Sequence, residues 1–318
     1  MESVYHYCFS ADEVICRDEE DYFRFINCFA LALYYTKSVS LADAVMSNHF
    51  HTVLSSPDIK LFSKRLRYSY TRYFNCKYRR KGKLGERRAF AKELKGIARI
   101  CTAISYVLRN PLHHGVSATP FGYRFSSIGS LFTKELGLGY SMAQKEVSKR
   151  SLHKWLPKGV ALPAGYIIEE SGVISRKCFT NTIQTEILYG SVRNFLFQMT
   201  RVSGEDWIKE QERDGKNYGK PITLEDIESP VFQDYATSNN RDWLNVLYSY
   251  EKMRHHNEII QDFELCSIID KSVKSHFKKE SVYALSRKEK ESLADIISKR
   301  YHIFNSQQMA RCMALGEV

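Results

Sequence analysis

The stretch Leu41-Ala-Asp-Ala-Val-Met-Ser-Asn-His-Phe-His-Thr-Val-Leu54 carries a His-x-His pattern within strand-forming sequence. Side chains alternate between the two faces of a β-strand, so His49 and His51 project to the same side, with Cβ atoms roughly 6.6 Å apart. Phe50 projects to the other side, towards a core. Two imidazoles at this spacing can share one metal ion. The alternative interpretation is a pair of half-exposed histidines on the face of a sheet.

A second segment, about fifty residues downstream, has the periodicity of an amphipathic helix. Its apolar stripe consists of Ile97, Ile100, Cys101, Ile104 and Leu108. Tyr106 is predicted to lie opposite this stripe, on the same face as Asn110, and Arg99 and Arg109 flank that face. Pro111 is expected to end the helix. A tyrosine in this setting is placed either for chemistry or binding, or simply as a surface side chain that packs over its neighbours.

These two segments together resemble the signatures of the single-tyrosine HUH transposases, in particular the REP-associated tyrosine transposases. The family patterns are M-P-N-H-V-H and Y-I-H-L-N-P-V-R-A-G. This chain has Met46-Ser-Asn-His-Phe-His51 and Tyr106-Val-Leu-Arg-Asn-Pro-Leu-His-His-Gly115 at the corresponding places. The resemblance covers about residues 1–130. One departure is Ser47, which stands where the family usually has proline.

The resemblance implies a ferredoxin-like or RRM-like antiparallel sheet with the tyrosine helix packed beside it. It implies that Tyr106 is a nucleophile that cleaves and rejoins DNA through a 5′-phosphotyrosine intermediate. His49, His51 and Asn110 would hold a divalent metal ion, Mg²⁺ or Mn²⁺, and no nucleotide cofactor would be needed. The implied substrate is single-stranded or hairpin DNA.

The order of predicted elements independently favours an α+β fold. Over residues 1–130 the patterns alternate as β-α-β-β-α-β-α, which suits two layers with antiparallel pairing. The division of residues 39–55 into one long strand or two shorter strands stays open at this point. We expect an HUH endonuclease domain over residues 1–130, a mostly helical extension of unknown role over 131–280, and a helix-turn-helix over 281–318.

A strongly basic segment lies between the two signatures. Residues 60–99 contain fifteen Lys or Arg against two acids, a local excess of +13 that exceeds the +11 of the whole chain. Cations neutralise phosphates and aromatic rings stack on unpaired bases, so this composition predicts contact with a nucleic-acid strand. The predicted DNA-binding residues here and on the next helix are Lys64, Arg65, Arg67, Arg72, Tyr73, Lys77, Arg79, Arg80, Lys81, Lys83, Arg87, Arg88, Arg99 and Arg109. The alternative is a solvated helix face with its aromatic residues in the core.

The C-terminal residues predict two helices joined by a short turn. Such a pair is typical of a helix-turn-helix, with Gln307, Gln308 and Arg311 on the would-be recognition helix, because glutamine and arginine can read base edges. A plain helical hairpin packed on the catalytic domain fits the same pattern equally well.

Composition limits the remaining possibilities. The eight cysteines are scattered without a Cys-x-x-Cys pair, which argues against a disulfide scaffold and for a reducing cytoplasm. The resemblance implies a bacterial, nucleoid-associated setting. No signal peptide or membrane span is expected, and the protein is expected to be a monomer or homodimer. The rival function is a non-catalytic DNA-binding protein or repressor. A metallohydrolase for small molecules is disfavoured by the concentration of positive charge.

Overall fold

The computed structural model describes residues 3–85, 89–137, 152, 154–157, 159–200, 209, 211–212, 220–222, 260–303 and 305–315. Its first part contains β1 (Ser3–Ser10), α1 (Glu19–Tyr35), β2 (Val39–Val45), β3 (His49–Ser56), α2 (Ile59–Tyr78), β4 (Phe90–Leu94) and α3 (Ile97–His113). The described helices that follow are α4 (Thr182–Tyr189), α5 (Val192–Thr200), α6 (Asp262–Ser272), α7 (Arg287–Tyr301) and α8 (Ser306–Met313). The predicted β-α-β-β-α-β-α order is therefore confirmed.

The four strands form one antiparallel sheet in the order β2-β3-β1-β4. This is the strand order of the ferredoxin-like fold, and the fold class is α+β with a mainly helical C-terminal region, as predicted. The chain makes two strands of residues 39–56, because the turn between them is closed by a hydrogen bond from Met46 N to His49 O of 2.8 Å. His49 is thus the first residue of β3.

One face of the sheet packs on α1 and α2 through aromatic side chains. Phe50, predicted to enter a core, has no exposed surface, and its ring lies 4.9 Å from that of Phe25 and 4.8 Å from that of Phe29. Helix α1 begins at a capping box formed by Asp18 and Asp21, which satisfies backbone N–H groups that the helix itself cannot. This face is the apolar core that holds β3 in place.

The other face of the sheet packs on α3. Two predictions made for this helix from its sequence pattern, its end at Pro111 and the burial of Ile97, are wrong. The helix continues through Pro111 to His113, so the prediction that Pro111 ends it is wrong; the hydrogen bond from His114 N to Asn110 O extends the last turn beyond the proline. Ile97, assigned to the apolar stripe, is 60% exposed, whereas Tyr106 is 2% exposed. The helix is covered by the sheet on one side and by α4 and α5 on the other, so both sides are buried.

Helices α6, α7 and α8 share a separate apolar cluster, which includes Leu265, Ile269, Leu293 and Met309. Helix α6, within the predicted extension over 131–280, therefore packs with the two predicted C-terminal helices rather than apart from them. The helix-turn-helix assignment and the domain boundaries themselves stay predictions. Among the described helices, none combines the length and the hydrophobicity that crossing a membrane requires.

Candidate functional site

The floor of the site is formed by two neighbouring strands. In the antiparallel register of β1 and β3, Ser10 lies opposite His49 and Cys8 lies opposite His51. Residues at alternate positions share a face, so His6, Cys8 and Ser10 of β1 project to the same side as the two histidines of β3. This is the face that packs on α3. The sheet therefore gathers three imidazoles and a thiol beneath the tyrosine helix.

Helix α3 supplies the other two predicted site residues. The Asn110 Oδ1 atom lies 2.8 Å from His49 Nε2, and Asn110 Nδ2 lies 3.5 Å from the Tyr106 hydroxyl. The rings of Tyr106 and His51 are perpendicular, with centroids 5.4 Å apart. Residues separated by more than fifty positions in the sequence thus meet as one cluster, and the predicted set of His49, His51, Tyr106 and Asn110 lies together.

The contacts of His49 test whether a cation fits this donor set. Its Nε2 faces Asn110 Oδ1 at 2.8 Å, and its Nδ1 faces Asn48 Oδ1 at 3.0 Å. A neutral imidazole carries one N–H, so it can donate to only one of the two oxygens. When Nδ1–H donates to Asn48, Nε2 and Asn110 Oδ1 turn lone pairs towards each other. A divalent metal ion bound by both atoms fits that arrangement, since imidazole nitrogen is a ligand for transition metals and amide oxygen is a ligand for Mn²⁺ or Mg²⁺.

His51 is the other histidine of the predicted donor set, and its contacts are with residues of β1. Its Nδ1 lies 3.1 Å from His6 Nε2, and its Nε2 lies 3.8 Å from Cys8 Sγ. Within the described ranges, no group of three or more His, Cys, Asp or Glu side chains has the geometry of a metal site. The predicted set differs in kind from such a group, because its third member is an amide.

Burial favours the neutral form of four histidines of this site, namely His6, His49, His113 and His114. It holds the pKa of His6 and of His49 well below the usual value, and the neighbouring imidazoles lower both further. The same cause, burial of the ring, lowers the pKa of His113 well below normal and that of His114 to about 3. Neutral imidazole is the form that binds metal. His49, one of the predicted ligands, is therefore favoured in the protonation state that a metal site requires.

His113 and His114 lie at the end of α3, and they also line the site. The ring of His113 lies 5.3 Å from that of Tyr106, and the ring of His114 lies 4.6 Å from that of His49. The rings of His6, His51 and His113 thus contact the ring of Tyr106, and His49 and His114 pair with each other in the same cluster. His6 and Cys8 were missed by sequence reasoning; the signal available was the alternation along β1, which becomes informative only once its register with β3 is known.

The C-terminal helices close the His49 end of the site. Asp262 of α6 accepts a hydrogen bond of 2.7 Å from Ser47, just before the histidine pair. Arg311 of α8 binds the same carboxylate through two hydrogen bonds of 2.7 and 2.8 Å, and its positive charge helps to lower the pKa of His49. Because Tyr106 is 2% exposed as well, the arrangement is an enclosed state of the site.

The three side chains predicted to read bases do not all face solvent, as they would on a free recognition helix. Gln308 donates to Ile260 O and to Asp262 Oδ1, and Arg311 is paired with Asp262 as described. Gln307 is exposed. Two of the three predicted base-reading residues therefore make contacts inside the C-terminal unit, and their role in DNA binding stays a prediction.

The residues of the predicted basic surface differ in exposure and in pairing, and Arg79 is both exposed and paired. The exposed members are Lys64, Arg65, Arg72, Arg79, Lys81 and Lys83, and Arg67 is half-buried. The paired members are Lys77 with Asp18 and Asp21, Tyr73 with Asp21, Arg79 with Glu280 and Arg80 with Glu13. The buried members are Arg99 and Arg109, which donate to the carbonyls of Lys220 and Gln198. Arg87 and Arg88 lie outside the described residues.

The exposed cations lie on a different layer from the tyrosine. Helix α2 packs on the aromatic face of the sheet, whereas Tyr106 lies on the opposite face. The loop after α2 nevertheless reaches the His49 end, because Arg80 pairs with Glu13, three residues beyond the end of β1. The basic loop and the site therefore approach each other at this end of the sheet.

Comparisons with known proteins add little to this geometry. No protein-family profile and no curated protein matches the chain. Among solved structures, the chain is similar to a REP-associated tyrosine transposase bound to a REP hairpin, with a TM-score of 0.38 and 12% sequence identity over 46% of this chain and 91% of that chain. A likeness at this level decides neither fold nor function, so both rest on the residues themselves.

Proposed function

We propose that the protein is a metal-dependent single-stranded DNA endonuclease and strand transferase. The observation that supports it is the convergence of Tyr106, His49, His51 and Asn110 in one cluster, with 2.8 Å between His49 and Asn110 and 3.5 Å between Asn110 and the tyrosine hydroxyl. These are the residues at the positions that match the two signatures of the single-tyrosine HUH transposases.

In the proposed reaction the Tyr106 oxygen attacks the scissile phosphorus. A P–O bond to tyrosine forms and the bond to the 3′-oxygen breaks; the phenol releases its proton and the departing oxygen takes one up. The products are a 5′-phosphotyrosine and a free 3′-hydroxyl. A divalent ion held by His49, His51 and Asn110 would polarise the phosphate and stabilise its developing charge. Because one phosphoester replaces another, rejoining needs no nucleotide cofactor.

The remaining residues would bind and orient the strand. The exposed cations Lys64, Arg72, Lys81 and Lys83 would neutralise phosphates. Asn110 would hold the tyrosine hydroxyl through its amide nitrogen while its oxygen faces the ion. The partner is single-stranded or hairpin DNA, since a single strand is narrow enough to bring its backbone to a recessed tyrosine that is 2% exposed, whereas a duplex is not.

The test is incubation with end-labelled, hairpin-bearing single-stranded DNA, with Mn²⁺ or with EDTA, followed by a denaturing gel. We expect a protein–DNA adduct that needs Mn²⁺ and is absent from the Tyr106→Phe protein. Tyr7→Phe is the matched control, because it removes the hydroxyl of another buried tyrosine, bonded to Ser63 on the opposite face. Cleavage without an adduct would instead assign the attack to water.

The second candidate is a DNA-binding protein without turnover, favoured by the enclosure of the site. His49, His51, Tyr106 and Asn110 are each at most 2% exposed. Binding to a broad pool of hairpins, with neither cleavage nor adduct under any metal condition, would support this candidate over the nuclease.

A further inference from the structure

Histidine 6 lies behind the histidine pair and belongs to neither signature. It has no exposed surface, and its Nε2 atom lies 3.1 Å from Nδ1 of His51. Its ring also contacts Tyr106 edge-on, with centroids 6.1 Å apart. Residue 6 sits on β1 diagonally across from His51, whose direct partner is Cys8. A buried imidazole that bonds a candidate ligand and contacts the candidate nucleophile requires an explanation.

The direction of the bond between the two rings determines what His51 can bind. When Nδ1–H of His51 donates to His6 Nε2, the lone pair of His51 is on Nε2. When His6 donates instead, His51 carries its proton on Nε2 and cannot use that atom as a ligand. Ligating histidines usually donate their other N–H to an acceptor, which fixes the tautomer and ring orientation.

The contacts of the two rings fit a hydrogen bond donated by His51 Nδ1 to His6 Nε2. On the Nε2 side of His51, Cys8 Sγ lies at 3.8 Å, and its S–H is a weak donor whose hydrogen bond a nitrogen lone pair can accept. On the far side of His6, Nδ1 has no hydrogen-bond partner among the described residues. No second contact therefore fixes the tautomer of His6, and it can supply whichever form His51 requires.

We propose that His6 is a positioning residue that accepts the Nδ1–H of His51 and so holds the Nε2 lone pair of His51 towards the metal site. This rests on the proposed function, and it adds a residue from β1 to a site otherwise built on β3 and α3. His6 does not bind the ion itself; it acts through His51. Loss of such an acceptor typically lowers metal affinity 10- to 100-fold.

Two substitutions of His6 that differ by one methylene test whether it acts as a hydrogen-bond acceptor for His51 or only fills buried space. His6→Gln places an amide about where Nε2 lies and keeps an acceptor within reach of His51. His6→Asn has the same amide on a shorter stem and falls short. Tyr7→Phe is the control on the adjacent residue, whose side chain points to the opposite face.

The measurement is Mn²⁺ titration of the full chain, followed by the electron paramagnetic resonance signal of free Mn²⁺. Thermal unfolding is recorded in parallel to confirm that each variant folds. We expect His6→Asn to weaken binding at least tenfold, and His6→Gln and Tyr7→Phe to remain within about threefold of the wild type. Nitrogen-15 spectra of labelled histidines should show a protonated Nδ1 on His51, and this readout needs no variant.

Each outcome decides the matter. Equal losses of Mn²⁺ affinity in the His6→Gln and His6→Asn proteins, or no loss in either, would overturn the positioning role of His6. The proposal that the wild-type protein binds a metal ion would still stand. A His51 protonated on Nε2 would overturn it as well. Failure of the wild-type protein to bind Mn²⁺ would instead remove the proposed metal-dependent function on which the role of His6 depends.

Discussion

The two faces of the sheet bury their side chains equally well but with opposite chemistry. Towards α1 and α2 the strands present Tyr7, Phe9 and Phe50, and towards α3 they present His6 and His51, all at most 1% exposed. Burial of the aromatic face stabilises the fold by removing apolar area from water, about 25 cal/mol for each Å². Burial of imidazoles costs free energy unless their hydrogen bonds are made. A protein retains such a face when it does something other than hold the fold together, which is the pattern expected of a functional site.

The largest effect on stability is expected from the aromatic face. Phe50→Ala removes a ring packed between Phe25 and Phe29 and leaves a cavity. The free energy of unfolding should fall by about 3–5 kcal/mol. Denaturant titration measures this loss. A change below about 1 kcal/mol would mean that this face does not carry the core.

The histidine face should make stability depend on pH. Burial lowers the folded-state pKa of His6, His49, His113 and His114, the last to about 3, whereas the unfolded value is about 6.5. Below about pH 6.5 the unfolded chain binds more protons, so stability is lost as the pH falls through that value. Each histidine contributes up to about 1.4 kcal/mol per pH unit.

The control for this pH dependence is His114→Gln, which removes one of the four groups. The slope of unfolding free energy between pH 7 and pH 5 should be smaller in this variant than in the wild type, in metal-free buffer. Identical slopes in the two proteins would contradict the assignment of the pH dependence to the site.

The contact between Ser47 and Asp262 should restrain access to the site. Ser47→Ala removes one hydrogen bond that holds α6 against the histidine strand, worth about 1 kcal/mol. The rate of adduct formation should rise up to about fivefold. Ser130→Ala, which removes a hydroxyl bonded at 2.6 Å to Ser127 O away from this contact, should leave the rate unchanged. A slower rate in Ser47→Ala would indicate that α6 supports the site instead.

The smallest change in stability is expected where both members of the imidazole pair are replaced. His6→Leu combined with His51→Leu removes the donor and the acceptor of their hydrogen bond together, so neither ring leaves the other without its partner in that bond. The unfolding free energy at pH 7 should stay within about 1 kcal/mol of wild type, while Mn²⁺ binding is lost. The same double change on the other face, Tyr7→Leu with Phe50→Leu, should cost more. A reversal of this order would remove the functional distinction between the two faces.

Sequence reasoning succeeded where a local period carried the information. The two-residue period of the strand placed His49 and His51 on one face and Phe50 on the other, and the i, i+4 spacing placed Tyr106 beside Asn110. It failed at Pro111 and Ile97, because helix burial on two sides and a last turn that continues past proline depend on what surrounds the helix.

The split of the basic segment also needed the structure. Arg99 and Arg109 look like the other cations in sequence, but they are buried and bonded to backbone carbonyls. Lys77 and Arg80 are paired with carboxylates from the loop after β1 and the start of α1. Such partners lie up to about 120 residues away along the chain, so no local pattern predicts them.

The sequence by itself determined the order of strands and helices along the chain and the shared face of His49 and His51, because both follow from side-chain periods of two and 3.6 residues. The tertiary structure alone decided that His6 stands behind His51, since that depends on the register between β1 and β3. It alone decided that Asp262 and Arg311 close the His49 end of the site, since α6 and α8 reach it from more than two hundred residues away.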